Sequence, residues 1–401
     1  MRIPTLVKRK TLRILIFFYF ILLIACSSNK ALTKEGQVST LQPYIDNIIN
    51  AYAPDKRVAL FDVEVKDNLL KGETTSPNAK AALLRSLQSA NKNFIDSITV
   101  LPEAQLLQQT MAVVTVSVAN LRTQPEHKAE LATQAILGTP LQVWKKLRGW
   151  YLVQTPDKYL AWVDADASAR MDTISYNKWM KKPKLIYTKP FGFAYSLPAD
   201  GATVSDLVYG SIMIINGEDN NFFKVGLPDG RVAFVAKTEA QLYKEWQTTR
   251  QPNTGNLTAT AKLLLGIPYL WGGTSFKGVD CSGFTKTVYF MNGLVLPRDA
   301  SQQVKIGEEI DTRNDWNNMR PGDLLFFGTL AENNRAERVV HVGMWIGNNE
   351  FIHSAGKVRI SSMDPAAGNY DAYERKRFLR AKRISPEASL LDLRTNNMYE
   401  L

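Results

Sequence analysis

Residues 111–245 repeat themselves at an offset of 72. Gly138, Trp150, Val153, Pro156, Asp157, Trp162 and Val163 return as Gly210, Phe222, Val225, Pro228, Asp229, Phe234 and Val235. A fixed period of this kind means that one structural unit is used twice. Within each copy, short runs of alternating apolar residues are broken by a Pro-Asp pair, the pattern of short strands joined by tight turns. Each copy is therefore expected to form a small β-barrel. The aromatic positions read as core.

The C-terminal flank holds one of the chain's two cysteines, in Asp280-Cys281-Ser282-Gly283-Phe284, just after Tyr269-Leu270-Trp271-Gly272-Gly273. Phe284 and Val288 give the buried stripe of a helix, and Asp280 can cap its start. A cysteine in a first helical turn faces unpaired N–H groups and the positive end of the helix dipole, both of which favour the nucleophilic thiolate. Such a nucleophile needs a base. Two of the three histidines lie downstream, His341 in Val339-Val340-His341-Val342-Gly343-Met344-Trp345-Ile346-Gly347 and His353 in Glu350-Phe351-Ile352-His353-Ser354. Both segments read as strands joined at Asn348-Asn349, which suits a nucleophile, a base and a group that orients the base. Side chains alternate along a strand, so His341 and His353 share a face only if the hairpin has a three-residue loop or a bulge that shifts register by one. Cys281 and these histidines lack zinc-site spacing, and neither a metal nor a cofactor is implied.

The N-terminal flank opens with a basic stretch and the apolar run Ile14 to Ala25, too short for an ordinary membrane span and shaped like a secretion signal (1–25). It ends Leu23-Ile24-Ala25-Cys26, which resembles a bacterial lipobox and implies lipidation of Cys26, with 26–37 as a tether. Cys281 then has no disulfide partner in an oxidising compartment, which marks it as a candidate reactive thiol. The formal charge is +11. Five of those charges lie in the first 25 residues, leaving +6, and no basic cluster with interleaved aromatics follows. No nucleic-acid partner is expected. The mild positive excess suits an anionic partner such as cell-wall peptide or envelope lipid. Residues 38–110 read as helix, strand and helix with no chemistry of their own.

Residues 255–385 resemble the NlpC/P60 family of papain-like cysteine peptidases. The matching pieces are Pro268 to Gly273, Asp280 to Phe284, Pro297-Arg298-Asp299, Arg320-Pro321-Gly322-Asp323 with its following strand, and His341-Val342-Gly343 with His353. The resemblance implies Cys281 as nucleophile, His341 as base and His353 as the orienting residue. The repeated units resemble bacterial SH3 domains. The expected organisation is α+β, with a first SH3-like domain and its N-terminal extension at 38–175, a second at 184–245, a linker over Trp246 to Asn256 and the peptidase domain at 255–385.

The order of these parts also resembles a narrower group, the γ-D-glutamyl-L-diamino acid endopeptidases of murein peptide recycling. In that group the first SH3-like domain borders the active site and binds a free N-terminal L-Ala. Glu130 and Tyr159 would be the acid that pairs the amine and the tyrosine beside it. Tyr269, Asp280 and Ser282 match substrate-binding positions around the nucleophile. The implied protein is a lipid-anchored envelope peptidase facing the periplasm and acting on peptidoglycan-derived peptides. The rival readings are a broader peptidoglycan endopeptidase or amidase acting on intact wall, and a noncatalytic wall-binding lipoprotein.

Overall fold

The computed structural model describes residues 40–313, 315–332, 335–386 and 390–395. The expected signal segment, Cys26 and the tether lie outside the described residues.

The first unit is small and α/β. Helix Gln42–Tyr52 is followed by antiparallel strands Phe61–Lys66 and Leu69–Thr74. Helix Pro77–Ser89 then crosses over to strand Ile95–Val100, which runs parallel to Leu69–Thr74. The crossover helix starts where the Ser76 hydroxyl accepts the Ala79 N–H at 3.2 Å, with Pro77 in the first turn. Ile45, Leu70, Leu83 and Leu87 form a core of their own.

The repeat is structural as well as textual. Strands Pro140–Leu147, Trp150–Gln154 and Leu160–Asp164 return as Ile212–Asp219, Phe222–Gly226 and Val232–Ala236. Each copy is one seven-stranded sheet with the same spatial order. Even the irregularities repeat. The first long strand is bulged between Val143 and Lys145, the second between Ile215 and Gly217. Gly138 and Gly210 precede these strands with φ of 84° and 89°. Val143, Val153 and Val163 lie in one core, Val225 and Val235 in the other, as the alternation requires.

The expected linker is partly a packed element. Tyr243–Thr249 is a helix, and Trp246 is fully buried. Its indole N–H reaches the Tyr209 hydroxyl at 2.9 Å and its ring lies 6.2 Å from Phe290. An indole of that size is stable only where its surface is removed from water and its N–H is paired, so it joins the second barrel to the C-terminal unit.

That unit has helix Thr254–Leu263, helix Cys281–Met291 and a six-stranded antiparallel sheet. The sheet order is Glu308–Ile310, Phe378–Arg383, Leu324–Thr329, Arg338–Gly347, Glu350–Ala355 and Lys357–Ser362. Phe284 and Val288 of the second helix share a core with Val342, Met344 and Ile352.

Candidate active site

Cys281 is the first residue of its helix and is only 8% exposed. Asp280 caps the helix through the Gly283 N–H at 2.7 Å and also accepts the Gly272 N–H at 2.9 Å. Arg298, itself buried, grips both Asp280 oxygens and the Ser282 hydroxyl. Asp280 and Ser282 therefore line the cavity described below with their side chains engaged in holding the nucleophile's turn. The thiolate that the helix start favours is opposed by the site's surroundings. Burial and the adjacent Asp280 push the Cys281 thiol up to about 12, against the opposing backbone N–H groups of Val342 and Ser282.

The base comes from the hairpin. Asn348 and Asn349, at φ of 53° and 57°, make a two-residue turn. Gly347 pairs with Glu350, but Trp345 pairs with Phe351 and Met344 with Ile352, so Ile346 is an extra residue and the register moves by one. The bulge places the two imidazoles together, His341 Nε2 lying 2.8 Å from His353 Nδ1. Gly343 makes room between them, since a Cβ there would come within 3.2 Å of the His353 Cβ and 2.9 Å of the Phe351 ring. Beyond Met344 the pairing of the two strands lapses, and the Val342 N–H turns to the Cys281 sulfur while the Ser354 hydroxyl bonds Val279 O at 2.8 Å. The nucleophile is thus wedged where the strands separate, one residue from His341.

Burial, then the neighbouring His353 and the cations of Arg377 and Arg359, hold His341 well below its usual range. Burial and Arg359 lower His353 to about 4. Burial favours the neutral form of both, and the role of His341 as base selects among the tautomers. For Nδ1 of His341 to accept a proton, its Nε2–H must donate to His353 Nδ1. His353 Nε2 then donates to the Ser361 hydroxyl at 3.1 Å, which donates to Asp371 at 3.3 Å. Among the described residues, His341, His353 and Glu374 form the cluster whose donor atoms are close enough for a metal, within 4.8 Å of one another. The imidazoles are bonded to each other, and Glu374 makes two 2.8 Å bonds to Arg377.

A cavity of about 830 Å³ opens over Cys281. Tyr269, Asp280 and Ser282 line it from the C-terminal unit, and Glu130 and Tyr159 from the first barrel. Glu130 accepts the Trp271 indole N–H at 2.7 Å. Ala132, two residues on, lines the same wall. The Tyr159 hydroxyl donates to Asp299 at 3.1 Å, and burial followed by Asp299 raises its phenol well above the usual range. Burial, Cys281 and Asp280 do the same to Tyr269. The cavity also contains Arg57, Asp299, Glu337, Arg338 and Arg380, which the sequence reading did not single out. Asp299 was visible within Pro297-Arg298-Asp299. Glu337 and Arg338 carry only the charge expected of a surface loop, and Arg57 carries no signal.

Residues 266–380 match the NlpC/P60 family, and residues 121–167 match the bacterial dipeptidyl-peptidase Sh3 domain. The chain is 32% identical over 237 residues to a gamma-D-glutamyl-L-lysine dipeptidyl-peptidase of Bacillus cereus, covering 56% of this chain and 67% of that one. It is 30% identical over 234 residues to the protein of the same name in Bacillus subtilis, covering 56% and 72%. Among solved structures, an NlpC/P60 family protein from Bacillus cereus is 26% identical with a TM-score of 0.58, and the match covers 69% of this chain and all of that one. The chain belongs to the NlpC/P60 family of cysteine peptidases.

Proposed function

We propose that this cell-wall peptide hydrolase cuts the bond between γ-D-Glu and a diamino acid in short murein peptides with a free N-terminal L-Ala. The supporting observation is that Cys281 shares one cavity with Glu130 and Tyr159, which come from a different unit of the chain. Relatives named gamma-D-glutamyl-L-lysine dipeptidyl-peptidase point the same way.

In this mechanism the Cys281 sulfur attacks the γ-carbonyl carbon as its proton passes to His341 Nδ1. Burial disfavours both the thiolate and the imidazolium, which couples that transfer to the attack. Backbone N–H groups at the helix start and the Tyr269 hydroxyl meet the oxyanion. His341 returns the proton to the leaving α-amine as the C–N bond breaks. Water then hydrolyses the thioester with His341 as base. His353, held by Ser361 and Asp371, keeps the base in the required tautomer. Glu130 and Asp299 supply the carboxylates that would face the substrate ammonium.

The test is mass spectrometry of products from L-Ala-γ-D-Glu-diaminopimelate beside purified sacculi, with Cys281→Ala as control. Release of L-Ala-γ-D-Glu from the free peptide, lost in the variant, is the expected result. Faster attack on sacculi would replace this reading with that of a broader endopeptidase. The same reading has the protein lipid-anchored in the envelope at Cys26. Cys26→Ser should leave the membrane fraction, and a variant that still sediments with membranes removes that anchor.

A further inference from the structure

The N-terminal unit reaches the cavity through one side chain. Arg57 lies between helix Gln42–Tyr52 and strand Phe61–Lys66. Its loop is sewn to the first barrel, where the Leu160 N–H bonds Arg57 O at 2.7 Å and the Gln154 amide bonds Val58 O at 2.8 Å. All three guanidinium nitrogens are engaged. Nε and one terminal nitrogen grip Asp55, both at 2.7 Å, and the other donates to Asp299 Oδ2 at 2.8 Å and the Ser301 hydroxyl at 3.1 Å. Asp55 also accepts the Gln302 amide at 2.8 Å. Burial opposes the Asp55 charge, but the bonds from Arg57 and Gln302 outweigh it and hold its carboxyl at about 2.

We propose that Arg57 is a positioning residue for the substrate-binding end of the cavity, so that the N-terminal unit is part of the peptidase's specificity wall. Asp299 Oδ2 is taken by Arg57 and the Tyr159 hydroxyl together. Oδ1 lies 4.0 Å from Arg298, and the Asp299 side chain also accepts the Gln302 backbone N–H as the cap of the short helix Ala300–Gln303. Arg57 thereby holds the Asp299 carboxylate from the side opposite its helix cap, and it fixes Tyr159 through the shared oxygen. Without Arg57, the nearest cation to Asp299 is Arg298, the residue that grips Asp280 at the nucleophile's turn. A carboxylate drawn to that cation leaves the position where a substrate ammonium would find it. The inference rests on the reading of this cavity as the site for the residues preceding the scissile bond.

The experiment compares wild type, Arg57→Ala and Arg57→Lys on the free tripeptide and on sacculi, with the rate of Cys281 alkylation by iodoacetamide measured alongside. Arg57→Ala should raise KM at least about tenfold with kcat within about twofold, Arg57→Lys should recover part of the loss, and alkylation should not change. In an Asp299→Asn background, Arg57→Ala should add less than about twofold, because Arg57 acts through Asp299. Unchanged KM overturns the proposal. So does a parallel fall in kcat and alkylation, which would show a structural role, or a full further tenfold loss in the Asp299→Asn background. A wild type active only on sacculi, where the L-Ala nitrogen is acylated, would fail the tripeptide reading itself and overturn this proposal with it, an outcome read on wild type alone and so distinct from an unchanged KM in Arg57→Ala.

Discussion

The two barrels have the same strand order, the same bulge and the same positive-φ glycine, yet only one borders the cavity. The difference lies in three positions. In the first barrel Asp157 is buried and pairs at 2.6 Å with Lys286, on the helix that begins with Cys281. Its counterpart Asp229 pairs with Arg231 of its own loop at 2.7 Å and stays about a third exposed. Tyr159 corresponds to Arg231, which bonds Val204 O and, across to the first barrel, Thr115 O. Glu130 corresponds to Ala202. The fold of a repeat is thus set by its glycines and alternating core, and its role by a few turn residues that the core does not constrain.

The largest expected contrast is in stability. Asp157→Asn leaves Lys286 buried without its counter-ion and should cost about 3 kcal/mol. Asp229→Asn should cost less than about 1 kcal/mol. Equal shifts in urea midpoints would erase the distinction between a docked and a free loop.

Next is substrate recognition. Glu130→Gln should lower kcat/KM for the free-amine tripeptide by about 2 kcal/mol, roughly 30-fold, with little effect on an N-acetylated peptide. Arg231→Ala in the second barrel should leave both rates alone. Turnover lost equally in both variants would mean that the barrels act as one body rather than as a wall and a support.

Acid should separate the units by a similar amount. His353 titrates at about 4 when folded against 6.5 when exposed, and His341 shifts in the same direction. As pH falls, the unfolded chain takes up these protons first. Stability is therefore intact above about 6.5 and is lost from there down to about 4. Between pH 7 and pH 5, His353 alone should remove about 2 kcal/mol. The second barrel has no histidine, the chain's three being His127, His341 and His353. Hydrogen exchange should loosen the hairpin Arg338–Gly347 and Glu350–Ala355 first. Earlier loosening of the second barrel would refute the assignment.

The smallest effect is on the seam between the barrels. Arg231→Ala removes bonds to two backbone carbonyls and should cost about 1 kcal/mol, read as a small drop in Tm with unchanged hydrolysis.

The barrels were legible because a repeat compares itself. Val153 and Val225 report the same alternation twice, and Gly138 and Gly210 the same backbone need. The pairing of His341 with His353 was legible as a condition, since alternation demands a bulge or a longer loop. Which of the two occurs depends on the two left-handed asparagines, and sequence allows either. The balance at Cys281 was not legible, because the helix start favours a thiolate while burial, a tertiary fact, opposes it. Arg57 was not legible either. Its partner Asp299 is 242 residues away, and no local pattern records the destination of a loop. Trp246 read as linker because the polar run Gln247 to Asn256 after it masked the single i, i+3 pair it makes with Tyr243.

The extra residue at Ile346 also limits how this hairpin can change over evolutionary time. Because the two strand faces alternate, losing or gaining one residue between His341 and His353 exchanges the face of one imidazole relative to the other. Changes of two residues preserve it. Among functional descendants of this chain, the spacing of twelve between these histidines should therefore vary in even steps, or in odd steps only where a bulge is gained or lost nearby.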